Sequence, residues 1–196
     1  HYSNSAYIYF YLMRQQPYDN LIVRLQEYNM ITLPSELEKG EYVDIRLRLP
    51  SGEDYIVLSK KLVEKTDSTT MWIKVSEDEI LTMSNAIVEA YVMSGSLLYA
   101  TTYTEAGLQN PSTPTYVVKS SVVNLMNANP NITTTAKNAL ATRYNEETRR
   151  QRTNVDQMLS SYDDGISNIE LHTEEEVTKQ QTTRQTYIES LGAYNY

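Results

Sequence analysis

Apolar and polar residues alternate in two runs within residues 41–65. One side of the first run is apolar and the other side is charged: Val43, Ile45, Leu47 and Leu49 against Asp44, Arg46 and Arg48. After a turn at residues 51–54, Ile56 and Leu58 resume the alternation. Successive side chains of a strand point to opposite faces of a sheet. The pattern therefore predicts a β-hairpin with one face in the core and one face in water.

A strand, a helix and another strand are predicted to follow the hairpin. Residues 70–75 (TMWIKV) read as a strand. Ser76 and Glu79 have the spacing of a capping box, and apolar residues follow at helical intervals, so a helix is predicted over 76–94. Residues 97–104 (LLYATTYT) return as a strand. A loop is expected at 107–115, and 116–126 is expected to run from a strand into a short helix.

The first 32 residues predict a separate, tyrosine-rich arm. Residues 6–13 (AYIYFYLM) place Tyr7, Tyr9 and Tyr11 on one face of a strand and apolar residues on the other. Residues 21–33 predict a second, less regular extended segment. We expect this arm, residues 1–32, to precede a main domain at 33–126.

The chain after residue 126 predicts a helical extension, residues 127–196. The segment NANPN at 127–131 is rich in residues that break regular structure. Residues 133–162 then predict one long helix with a thin apolar stripe that includes Tyr144 and Tyr162, and Thr173 and Glu176 offer a second capping box. A thin stripe suits docking either on the chain's own domain or on a neighbouring subunit. The expected fold class is α+β.

Composition narrows the range of partners. The net charge of −8 disfavours nucleic acid and anionic lipid, because both would be repelled at long range. The chain has 17 tyrosines, one Phe and one Trp, a bias that suits surfaces that are half buried and half wet. It has no cysteine, which is compatible with a bacterial exterior. No apolar run is long enough to span a bilayer, and a start at His1 leads us to expect membrane attachment only through a segment absent from this chain.

No catalytic motif stands out. His1 and His172 are the only histidines, and no phosphate-binding loop, metal-spaced histidine pair or nucleophile elbow is present. Acidic clusters occur at 41–44, 53–54 and 77–79, where the predicted turns and helix cap already give them structural roles. We therefore expect a non-enzymatic protein with no cofactor and no metal ion.

Residues 33–104 resemble the SAF-type region of Flp (Tad) pilus assembly proteins of the CpaB/RcpC kind. The resemblance rests on the turn and strand at Lys39, Gly40, Glu41, Tyr42, Val43 and Asp44, on the second strand through residues 55–63, and on Val75, Ser76 and Glu77 at the helix start. It implies a small β-clip module with one packed helix. It also implies an extracytoplasmic location at the cell envelope or surface.

Together these features predict a structural component that assembles through protein–protein contacts, with itself or with other assembly subunits, as a homo-oligomer. Tyrosine and arginine dominate interface energetics, and the candidate contact residues are Tyr7, Tyr9, Tyr11, Arg46, Arg48, Tyr144, Tyr162 and Tyr187. A structural protein of a phage or virus-like particle, located in the virion, is the alternative. A carbohydrate-binding SAF-type module, with Tyr42, Tyr55 and Trp72 stacking on sugars, is a second alternative.

Overall fold

The structure, a computed structural model, describes residues 23–67, 69–162, 178 and 182. Its two long ranges form a five-stranded antiparallel sheet and four helices, so the predicted α+β class is confirmed. The strands are β1 (Val23–Tyr28), β2 (Tyr42–Arg48), β3 (Asp54–Thr66), β4 (Met71–Ser76) and β5 (Leu97–Thr102). The helices are α1 (Glu77–Val92), α2 (Ser120–Ala128), α3 (Thr134–Arg143) and α4 (Glu146–Ser160).

The predicted hairpin is confirmed as β2 and β3, and β3 is the central strand of the sheet. The strand order is β1-β4-β3-β2-β5. The first part of β3 pairs with β2, and its last residues pair with β4, as Val63 opposite Ile73 shows. Gly52 closes the hairpin with a φ of 92°, a value that costs glycine little because it has no Cβ.

The sheet is strongly curved. β1 and β5 lie at opposite edges, yet Thr32, four residues after the end of β1, forms a bridge with Tyr99 of β5. Four extended residues span at most about 14 Å, whereas four strand spacings in a flat sheet separate the edges by about 19 Å. The two edges must therefore approach each other, and the sheet curls toward a barrel.

Two free strand edges are covered by the chain itself. Thr32 N donates to Leu98 O at 2.9 Å and Ala100 N donates to Thr32 O at 3.0 Å, which pairs the middle of the outer edge of β5. Along the first part of β3, Ile56 O accepts from Thr115 N and Tyr116 N, both at 3.0 Å. Unpaired edges invite association with other chains, so these segments limit pairing at both places.

Helix α1 packs on the core face of the sheet and begins at the predicted cap. Ser76 N donates to Glu79 Oε2 at 2.9 Å, and three acidic residues occupy the first turn, where the helix dipole favours them. The buried residues of α1 meet a cluster of sheet residues that includes Ile45, Leu47 and Val63, each fully buried. This cluster is the centre of the core.

The single long helix predicted over 133–162 is wrong, because the structure has two helices there. α3 ends at Arg143, and Asn145 caps α4 by accepting from Thr148 N at 3.1 Å. The asparagine side chain satisfies an amide that a continuous helix would satisfy with its backbone. Both helices pack on the domain, since Val155 and Leu159 of α4 belong to the same buried cluster as the sheet and Ala136 and Leu140 of α3 are partly buried against it.

Residues 116–119 form no strand, although Tyr116 and Val118 are buried. The predicted strand at 6–13 and the second capping box at Thr173 lie outside the described residues. Of the helix predicted after that box, the structure describes only Thr178 and Thr182, which are both helical.

Candidate assembly surface

The face of the sheet opposite α1 carries tyrosine and basic side chains, which we call the basic-tyrosine face: Tyr42, Arg46, Arg48, Lys60, Tyr99 and Tyr103. On β2, alternation places Arg46 and Arg48 opposite the buried Ile45 and Leu47. In the register with β5, Arg46 stands directly across from Tyr99. The face therefore follows from the period of two that the sequence shows.

Asp54 fixes two members of this face. Arg46 Nε donates to Asp54 Oδ1 at 2.7 Å, and the Tyr99 hydroxyl donates to Asp54 Oδ2. Burial, and then the bond to Asp54, raises the pKa of Tyr99. Burial lowers the pKa of Arg46, but the bond to Asp54 and its charge outweigh this effect and raise the pKa overall. At neutral pH the phenol is therefore protonated and the guanidinium is charged.

Arg48 is the exposed member of the face. Its guanidinium carbon lies 5.7 Å from the centre of the Tyr99 ring, within the range of a cation–π contact. Among the described residues, no carboxylate lies within ion-pair distance of Arg48. Its charge is thus available to a partner.

Lys60 lies at a bulge of β3 and is held between two rings. Its φ of 46° is left-handed, and its Nζ lies 5.8 Å from the Tyr42 ring centre and 5.7 Å from that of Tyr103. The buried Asp44 stabilises the bulge, because its Oδ1 accepts from Lys60 N at 2.8 Å and from the Tyr103 hydroxyl at 2.7 Å. A left-handed non-glycine residue costs free energy, and these bonds offset that cost.

The other predicted contact residues lie elsewhere. Tyr144 and Tyr162 are partly buried against the core, and the Tyr144 hydroxyl lies 2.6 Å from Ser120 Oγ. The structure therefore brings Arg46 and Arg48 together on one face and places these two tyrosines against the domain. Tyr7, Tyr9, Tyr11 and Tyr187 lie outside the described residues.

The aromatic residues considered for sugar stacking are not open rings. Lys65 Nζ lies 4.1 Å from the Trp72 ring centre, and Lys60 lies over Tyr42. Tyr55 is partly buried, and its hydroxyl donates to Glu53 at 3.1 Å. An ammonium group thus already lies over two of the three rings.

Sequence reasoning missed a buried polar network between α1 and α4. Glu89 is fully buried, and its carboxylate accepts from Arg152 and from Asn85 Nδ2, both at 2.7 Å, and from the Tyr116 hydroxyl at 2.8 Å. Arg152 Nη1 also donates to Val117 O at 3.0 Å. The bonds of Arg152 to Glu89 and Val117, and of Tyr116 to Glu89, join parts of the chain that are distant in sequence, whereas the bond from Asn85 to Glu89 lies within α1.

The pKa values of Tyr116 and Arg152 are both raised in this network, so both side chains are protonated at neutral pH. Burial, followed by the charge of Glu89, raises the pKa of Tyr116 well above its usual value. Burial lowers the pKa of Arg152, but bonds to Asp156 and Glu89 outweigh this effect. A buried charge that is paired and hydrogen-bonded is tolerated, whereas an unpaired one is not. The arrangement therefore stabilises the docking of α4.

A signal for this network was present in the sequence. Glu89 lies on the buried stripe of α1 with Ala86, and a carboxylate on such a stripe requires a cationic partner. Arg152 has helical spacing with Val155 and Leu159. The neighbouring Arg149 and Arg150 do not share this spacing, so the spacing distinguishes Arg152 as the arginine on the buried face.

No family model, curated protein or solved structure matches the chain significantly. Within the described ranges, no three His, Asp or Glu side chains are grouped closely enough to bind a metal ion. None of the helices in the described part of the chain has both the length and the hydropathy needed to cross a membrane.

Proposed function

We propose that this chain is a non-enzymatic structural subunit that assembles with other subunits through the basic-tyrosine face. The observation that carries the proposal is the exposed Arg48 stacked on Tyr99, which is itself fixed by Asp54. Arginine and tyrosine are the side chains most enriched among residues that dominate interface energetics.

Preorganisation makes this face suited to binding. Association costs free energy when long side chains lose their freedom. Here Arg46 is already bonded to Asp54, and Lys60 Nζ already donates to Gln109 O at 2.5 Å. A partner would therefore restrict few additional torsions, so more of the contact free energy would appear as affinity.

The roles of the carboxylates support a structural subunit over an enzyme. Glu79 forms an ion pair with Lys61 at 2.8 Å and caps α1, while Asp54 holds Arg46 and Glu89 holds Arg152. Acid–base catalysis needs groups positioned to reach a substrate. These carboxylates are instead saturated by neighbours of their own chain.

A pilus assembly role in the cell envelope is the finer form of the proposal. It is supported by the order of elements from Tyr42 to Thr102, which is strand, strand, strand, helix and strand, as the SAF-like β-clip resemblance implies. The absence of cysteine from the chain is compatible with an extracytoplasmic location.

Light scattering and chemical crosslinking test the proposal, with the purified chain alone and with other pilus subunits. The wild-type chain is expected to form oligomers or mixed complexes at micromolar concentration. Arg48→Glu is expected to weaken them, while Arg150→Glu, the same change at an exposed position of α4, leaves them intact. A wild-type chain that stays monomeric under all these conditions would refute the proposal.

A further inference from the structure

The outer edge of β3 is open over part of its length. Thr115 and Tyr116 pair with this edge at Ile56, and β4 pairs with it from Val63 onward. Between these points, at residues 57–61, no other described strand pairs with the edge. Unpaired N–H and C=O groups along a strand are a template for another strand.

A groove of about 490 Å³ lies against the open edge. Val57, Leu58 and Ser59 of β3 form one wall, and the first turns of α1 and the end of α3 form the others. Its volume is within the range of ligand pockets in proteins, about 300–1,000 Å³. Where a strand edge borders a groove, an extended peptide can gain affinity from main-chain bonds to the edge and specificity from the groove.

The α3 wall of the groove carries an unpaired positive charge. Arg143 is partly buried there, and among the described residues no carboxylate lies within ion-pair distance of it. The α1 wall carries Glu79, which Lys61 neutralises at 2.8 Å, and Asp78, which has no cationic partner in the same set. A carboxylate would therefore bind at the α3 wall and be repelled from the α1 wall.

The β3 wall contains a hydroxyl without a partner. Ser59 Oγ is shielded from solvent and forms no hydrogen bond with the described residues. Buried polar groups nearly always have a partner. Rotation about the Cα–Cβ bond of Ser59 would direct this hydroxyl to the main chain of a segment in the groove and remove the deficit.

We propose that this groove binds an extended segment of a partner protein, which pairs with residues 57–59 of β3 and places an acidic side chain on Arg143. The open edge favours a polypeptide as the occupant, because a main chain supplies donors and acceptors at the repeat of the strand. Arg143 specifies the charge, since a guanidinium binds a carboxylate strongly. The inference goes beyond the proposed function, because no residue of the basic-tyrosine face lines the groove.

Selection from a phage-displayed library of random octapeptides against the full wild-type chain tests the proposal. Ala139 is exposed on α3 and lines the groove, so Ala139→Trp fills it, and peptides that still bind this variant are discarded. Ala141→Trp, at an exposed position of α3 outside the groove, is the matched control and should bind the remaining peptides like the wild type. We expect these peptides to share an Asp or Glu.

Charge reversal tests the role of Arg143. In fluorescence anisotropy, Arg143→Glu is expected to weaken binding of the selected peptides by about tenfold to a hundredfold. Arg150→Glu, on the exposed side of α4, should have no effect. Peptides with Lys in place of the acidic residue should bind Arg143→Glu more tightly than they bind the wild type. If that variant does not fold by circular dichroism, Gln or Asn in the peptide removes the same ion pair from the wild-type complex.

Methylation of the peptide amides tests the extended pairing. Successive residues of a strand direct their amides to opposite sides, so only alternate amides reach β3. N-methylation of one alternate set is expected to abolish binding, and N-methylation of the other set to leave it intact. Equal effects of the two sets would overturn strand pairing.

The outcomes separate this inference from the proposed function. A selection that yields no peptide, or peptides that bind Arg143→Glu as tightly as the wild type, overturns the inference. Self-association that Arg143→Glu abolishes would identify a second copy as the occupant and overturn it too. Arg48→Glu should leave peptide binding unchanged, so a chain that binds the peptides but never assembles refutes the structural role alone.

Discussion

Removal of the Arg152 guanidinium is expected to destabilise the protein severely. The Glu89 and Arg152 side chains are 0% and 2% exposed, so Arg152→Ala leaves a buried carboxylate without its cation. Such a change costs about 3–5 kcal/mol. The remaining donors from Asn85 and Tyr116 favour the lower end, while the lost bond to Val117 O adds about 1 kcal/mol. We expect a total of about 4 kcal/mol.

Urea unfolding with two probes measures this loss. The fluorescence of Trp72, the chain's one tryptophan, reports on β4, and circular dichroism reports on the helices. If α4 undocks before the rest of the domain unfolds, the dichroism transition of Arg152→Ala will precede the fluorescence transition. If the domain unfolds as one unit, both transitions will move together to lower urea.

Two controls isolate the buried pair. Asp156 also accepts from Arg152, but its side chain is 46% exposed, so Asp156→Ala should cost only about 0.5 kcal/mol. The double change of Glu89→Gln with Arg152→Met removes both charges and should cost much less than Arg152→Ala alone. A loss below about 1 kcal/mol for Arg152→Ala, or one equal to that of Asp156→Ala, would refute the reasoning.

Three further changes probe other parts of the fold. Burial, and then the charge of Glu79, raises the pKa of Tyr28 to about 12 from 10.0, so the unfolded chain loses this proton first and the free energy of unfolding falls as pH rises from 10 to 12. Tyr28→Phe should reduce that fall by about 2–3 kcal/mol in alkaline urea titrations, and an unchanged fall would contradict this explanation. A Cβ added at Gly52 or at Gly107 would meet no neighbouring atom, but only Gly52 has a positive φ. In thermal melts Gly52→Ala should therefore lower the free energy of unfolding by about 1–2 kcal/mol and Gly107→Ala should leave it unchanged, and equal losses would argue against a backbone cause. Asn145→Ala should cost about 1 kcal/mol by the same measurement and Asn145→Ser much less, since serine also caps; equal losses would exclude capping.

The hairpin and α1 were predictable because local rules determine them. Alternation over β2 defines its buried face, and the capping box at Ser76 defines where α1 begins. Both signals lie within a few residues of the structure that they specify. The sheet order and its curvature were not predictable, because they depend on pairings such as Thr32 with Tyr99 across 67 positions.

The candidate surface was predicted only in part. Alternation placed Arg46 and Arg48 on the wet face, but Tyr99 and Lys60 join them through cross-strand register and a bulge that no local pattern specifies. The break between α3 and α4 was missed because Asn145 lies in a polar stretch. There the sequence does not distinguish an asparagine on the surface of a continuous helix from one that caps a new helix. The role of Arg152 was missed because Glu89, its partner, lies in a different predicted domain.

The shared strand β3 has a mechanical consequence. Among the described strands, β3 alone pairs with both halves of the sheet, the β1–β4 pair and the β2–β5 pair, and the bridge of Thr32 to β5 is a second connection between these halves. Tension applied to a subunit through its neighbours would therefore divide between the backbone of β3 and the two hydrogen bonds that join Thr32 to Leu98 and Ala100. At the Lys60 bulge the pairing of β3 with β2 is irregular, and there the bonds from Lys60 N and the Tyr103 hydroxyl to Asp44 Oδ1 hold the strand in place.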